Sequence, residues 1–79
     1  MKQWYLAQHF ITMQDDQDRE AEEAVRTADN LVRTQETEID RMKSSGVDAS
    51  WAEKLLEAYR YAARIARERL QALRRSKPS

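Results

Sequence analysis

Cysteine is absent from this chain of 79 residues, so no disulfide can brace it. Zinc is nearly excluded too, because His9 is the only soft or imidazole ligand. Glycine and proline occur once each, as Gly46 and Pro78. That leaves one place for a sharp left-handed turn and no glycine-rich loop of the kind that cradles phosphates. No apolar run approaches the roughly 18 residues a membrane span needs. The opening stretch Lys2 to Ala7 is interrupted by Gln8 and His9 and is followed by no small-residue cleavage site, so it reads as mature, cytoplasmic protein. Formal net charge is also lacking, with 14 basic against 14 acidic residues.

What is there is the composition of long solvated helices: 41% apolar and 35% charged residues, with Ala, Glu, Arg and Leu prominent. The length allows one domain, residues 1–79, and a domain of this size buries only about 60% of the surface its unfolded chain exposes. With disulfides and metal set aside, self-association is the remaining aid to stability. The charge is unevenly divided. Residues 1–45 carry six basic and ten acidic groups, net −4, and residues 46–79 carry eight and four, net +4. Such a division suits either a basic arm for nucleic acid or two halves that attract each other.

From Ala21 onward apolar residues recur at steps of three and four: Ala21, Val25, Ala28, Val32, Gln35, Ile39 and Met42. That is a heptad seam, and the same frame runs upstream through Ile11, Ala7 and Trp4, with polar interruptions at Gln14 and Asp18. The spacing predicts a first helix over about 3–44, with a cap at Asp15 or Asp16 or a frayed start as the alternatives for the first dozen residues. Gly46 suits a left-handed helix terminus after Lys43-Ser44-Ser45, giving a turn over 44–49. A second helix over about 50–75 is then capped by Asp48, or by Ser50 with Glu53 in a capping box. Its expected seam is Ala52, Leu55, Tyr59, Ala62, Ala66 and Leu73, flanked by Leu56, Ala63 and Leu70, with Arg69 as the polar exception.

A loop this short makes the helices antiparallel neighbours. The fold class expected is therefore all-α, a two-helix hairpin that dimerises into a four-helix bundle. Matching the seams about the turn sets Met42 against Ala52, Ile39 against Leu55, Gln35 against Tyr59, Val32 against Ala62, Ala28 against Ala66 and Ala21 against Leu73. It also sets Glu22 and its acidic neighbours beside Arg69, Arg74 and Arg75. Trp51, Ala58, Ile65 and Ala72 fall on a second flank that one partner helix does not cover. The second helix ends near residues 18–21 of the first, beyond the reach of Trp4, Leu6, Phe10 and Ile11. Uncovered apolar clusters of this kind mark interfaces, and Trp4, Leu6, Phe10, Ile11, Trp51 and Ile65 are the candidate interface residues.

The pattern Ala21-Glu22, Val25, Ala28-Asp29, Val32, Gln35, Ile39, Arg41, Gly46-Val47-Asp48, Ala52-Glu53, Leu55-Leu56 resembles short uncharacterised alphaproteobacterial, rhizobial-type helical-hairpin proteins. The likeness covers roughly residues 20–70, and the aromatic start from Trp4 to Phe10 departs from it. It implies a fold and no chemistry.

Three other clusters bear on function. The acidic run Asp15, Asp16, Asp18, Glu20, Glu22 and Glu23 has neither the ligand alternation nor the glycine of a calcium loop. Arg60, Arg64, Arg67, Arg74 and Arg75 are the candidate nucleic-acid contacts, against the alternative of a solvated helix face laced with ion pairs. His9 has no nucleophile near it in sequence, and a two-helix seam leaves no substrate cavity. The expectation is a protein that is not an enzyme and uses no cofactor. It acts as a homodimeric protein–protein interaction or regulatory module, with a nucleic-acid-binding bundle as the second reading and a phage or mobile-element inhibitor of a host protein as the third.

Overall fold

The computed structural model describes residues 2–76, with side chains from residue 16 onward. Two helices account for almost all of it: α1 over Lys2–Ser44 and α2 over Ser50–Arg75, packed on each other as an all-α helical hairpin. The molecule is a rod of 68 × 17 × 17 Å. That length follows from the 43 residues of α1 at about 1.5 Å each.

The turn is closed by backbone chemistry. Gly46 has φ +72°, the Val47 N–H donates to the Met42 carbonyl at 2.8 Å, and the Gly46 N–H donates to the Lys43 carbonyl at 3.1 Å. These two bonds satisfy the last carbonyls of α1 in the manner of a Schellman motif. A Cβ at Gly46 would meet nothing within 4 Å, so the demand for glycine is conformational and not steric. Gly46→Ala is therefore expected to cost about 1–2 kcal/mol in urea unfolding, the left-handed penalty of an L-residue. Gly46→Asn should cost less, because asparagine tolerates that region. Equal losses for the two would assign the effect to something other than the backbone angle.

At the start of α2 the Asp48 carboxylate accepts from the Ser50 N–H at 3.0 Å and from the Ser50 hydroxyl at 2.6 Å. Neither expected residue is the N-cap: that position is Ala49, which makes no side-chain cap hydrogen bond, and Asp48 instead closes a short turn onto Ser50 just before the helix. Glu53 turns instead to Lys43, 2.9 Å away.

The core lies along the seam of α1. Ala21, Ala28 and Ile39 are buried, and Val25, Val32, Gln35 and Met42 are half-buried, which is every expected seam position from Ala21 to Met42. In α2 the seam differs from the expected one. Ala52, Ala63 and Leu70 are buried, and Leu55, Leu56, Tyr59, Ala66 and Leu73 are half-buried, while Ala62 alone of the expected seam is exposed. The observed line through Leu56, Ala63 and Leu70 carries no charge, whereas the expected one through Ala62 passed through Arg69. A guanidinium inside a two-helix seam would have to be desolvated without a buried partner. The helix rotates to avoid that.

The register shifts with it. Ile39 packs with Ala49 and Ala52 in one buried cluster, against which Met42 and Leu56 close. This is about one turn tighter than the pairing of Ile39 with Leu55, because Ala49 itself supplies the first core contact of α2. The Gln35 amide correspondingly donates to the Ala52 carbonyl at 3.0 Å, and not to the Tyr59 hydroxyl. Carried along the antiparallel pair, this register sets Ala28 level with Ala63 and Ala21 level with Leu70, residues buried on both sides. The core is thus mostly alanine, and among the described residues no large side chain is fully enclosed.

Candidate interaction surface

Seven-residue spacing controls the two edges of the hairpin differently. On one edge, the residues that directly follow Ala21, Ala28, Gln35 and Met42 of the α1 seam face residues of α2 as ion pairs. They are Lys43 with Glu53 at 2.9 Å, Glu36 with Arg60 at 3.4 Å, Asp29 with Arg67, and Glu22 with Arg74 at 3.3 Å. Each pair sits one heptad further from the turn than the last, so this edge is closed by charge along the whole overlap. The complementary halves seen in the sequence meet here, within one molecule.

The opposite edge has no such closure. An open groove runs between the helices there, lined by Ala24, Leu31, Ala62 and Ala66, with Thr27 and Glu20 at its rim. Leu31 is 41% exposed. Beside the groove α2 carries a second apolar line, Trp51, Leu55, Ala58, Ala62, Ile65, Arg69 and Ala72, which repeats the core seam shifted by one residue. A shift of one residue is a rotation of about 100° around the helix, so the line faces a different neighbour from α1. Trp51 is 75% exposed, Ile65 is 44% exposed, and Ala58, Ala62 and Ala72 are exposed.

Of the candidate interface residues, Trp51 and Ile65 therefore lie on one uncovered stripe. The side chains of Trp4, Leu6, Phe10 and Ile11 lie outside the described residues. Leu31 and Ala62 belong to the same surface and are not singled out by the sequence: Leu31 adjoins Val32 of the seam, and Ala62 reads there as core, while Leu55 is half-buried between core and stripe. The signal that finds them is the doubling of apolar residues at Trp51-Ala52, Leu55-Leu56, Ala62-Ala63 and Ala72-Leu73, which supplies two adjacent heptads at once.

The candidate nucleic-acid arginines are divided. Arg60, Arg67 and Arg74 are held in the ion pairs to α1, Arg64 lies over the Tyr61 ring at 5.1 Å from its centroid, and Arg75 is exposed. Tyr61 is itself 58% exposed. Among the described residues no cluster of three or more His, Cys, Asp or Glu side chains is placed to hold a metal ion. No described helix is long and apolar enough to cross a membrane.

Four surface groups near the turn have displaced protonation equilibria, among them Arg41, which its hydrogen bond to Glu38 raises. The Arg41 guanidinium, hydrogen-bonded to Glu38, holds that carboxyl below its ordinary value. The Glu53 carboxylate, chiefly through its hydrogen bond, raises the Lys43 ammonium. The Ser50 hydroxyl, and then the Ser50 N–H, lower the Asp48 carboxyl. A depressed carboxyl adds stability that is fully present above the unfolded-state value, about 3.9 for Asp, and is lost as pH falls through the folded-state value. The first turn of α2 is accordingly expected to fray on acidification below that range, followed by the Ser50 amide resonance. Asp48→Asn should remove that transition. Its persistence in the variant would place the titration on another group.

No family model matches the chain, and no curated protein or solved structure matches it.

Proposed function

We propose that this protein is a small non-enzymatic interaction module that works as a homodimer. Its two hairpins form a four-helix bundle, and a helical surface is presented to another protein. The observation that carries the reading is the second heptad of α2, an apolar line from Trp51 to Ala72 left open beside a core that encloses no large side chain. Burial of a residue such as Trp51 or Ile65 contributes about 1.5–3 kcal/mol by the transfer rule. A few such residues together match the whole stability of a small domain. The reading places the protein in the cytoplasm, in keeping with a chain that has no cysteine. The aromatic start, Trp4 to Phe10, is the segment proposed to meet the second protein.

The arginine face ranks below this surface, because Arg60, Arg67 and Arg74 already have acidic partners on α1. Sedimentation equilibrium at micromolar concentration tests the main reading. A particle of about twice 9.3 kDa is expected, and a compact, cooperatively melting monomer would overturn it.

A further inference from the structure

The geometry points to a second copy of this chain as the occupant of the open stripe, with α2 lying antiparallel on α2 across a two-fold axis beside Tyr61. The inference rests on the dimeric reading above and adds to it the face, the direction and the register. The stripe reads Trp51, Leu55, Ala58, Ala62, Ile65, Arg69, and it is complementary to its own reverse. Laid antiparallel on itself, it sets Ala58 against Ala62 of the second copy at the centre and Leu55 against Ile65 on either side. Trp51 then meets Arg69 at each end. Small residues meet small ones, branched aliphatics meet each other, and the one cation of the stripe is placed over an indole face. The arginine that keeps the core seam out of this face thereby gains a partner.

The outer flank agrees. Lys54, Tyr61 and Glu68 are exposed and border the stripe one heptad apart. In the same register Lys54 is level with Glu68 of the second copy, twice by symmetry, and Tyr61 lies beside itself on the axis. A slip of one heptad in one direction sets Lys54 beside Arg75 and Ala58 opposite Arg69. A slip in the other leaves Arg69 beyond the end of the opposing helix. A parallel pairing would stack Arg69 on Arg69. Charge complementarity thus selects one arrangement.

The angle also fits. The stripe is rotated about 100° from the seam that holds α1, which places α2 at a corner of a four-helix bundle. The two-fold then carries α1 alongside α1. The hairpin register puts Leu31 level with Arg60, at the midpoint of the stripe, so Leu31 comes next to its own copy. This accounts for a leucine 41% exposed on the groove edge of α1.

The chain has no cysteine, so single cysteines can be introduced for spin labels at two exposed positions, Tyr61→Cys and Gln71→Cys. Pulsed dipolar spectroscopy is expected to give a short distance at 61 and one longer by roughly 30 Å at 71, since each residue from the axis adds 1.5 Å on both helices. Lys54→Glu should raise the dimer dissociation constant about tenfold, through two repulsive pairs. Lys54→Glu/Glu68→Lys should restore it, with helix content unchanged in both. Short distances at both labels, or a double variant no tighter than the single, would overturn this register and leave the dimeric reading standing. A monomeric wild type would overturn both.

Discussion

Ile39→Ala is expected to lower the stability of the hairpin by about 2–5 kcal/mol, enough to unfold most of a domain this small. The size of the effect follows from the composition of the core. Ile39 is 5% exposed, and its buried neighbours at the turn are Ala49 and Ala52. Alanine has no side chain to swing into a cavity, so the space left by the isoleucine cannot be filled by repacking. Only Met42 and Leu56 have the length to reach it. Thermal or urea unfolding followed by helix signal measures the loss. A variant within about 1 kcal/mol of wild type would mean that the cluster at the turn is not the principal holding point.

Reversing Arg60, Arg67 and Arg74 to glutamate together is expected to have the second-largest effect. Each pair is solvent-exposed, and such pairs contribute no more than about 1 kcal/mol. The substitution converts three attractions into three repulsions on one edge, which sums to roughly 2–3 kcal/mol at low salt by the same scale. It should fade as ionic strength rises, because the Debye length falls to about 3 Å at 1 M. Converting Glu22, Asp29 and Glu36 to lysine in the same chain should restore the hairpin. A loss that does not respond to salt, or is not repaired by the reciprocal change, would assign the cost to the buried stems of the arginines and not to their charge.

The sequence made some elements of this structure plain and left others open, for physical reasons. The seam of α1 from Ala21 to Met42 is legible because only Ala24 and Leu31 are apolar beside it, too few to offer a second line for the inward face. The turn is legible because Gly46 is the single residue free of the left-handed penalty. The seam of α2 is not, because Leu55-Leu56 and Ala62-Ala63 offer both of two adjacent heptads equally. The tie is broken by Arg69 against Leu70, where the cost of burying a guanidinium outweighs any difference between neighbouring alanines. The pairing register follows from that choice. The closed and open edges could be told apart in the sequence only after the seam was fixed, since Glu22, Asp29, Glu36 and Lys43 acquire a common edge only relative to it. The surface residues Trp51 and Ile65 were recognisable from the outset, because a helix apolar over so wide an arc exceeds what one neighbour covers.

The unequal lengths of the two helices have a mechanical consequence. α1 has 43 residues against 26, and in the hairpin register the end of α2 is level with Asp16, so residues 2–15 project as a shaft of roughly 20 Å. In an antiparallel assembly the two shafts leave in opposite directions, with their tips roughly 90 Å apart. In the proposed dimer, anything bound at one tip would be held away from the other by a span that helix length sets.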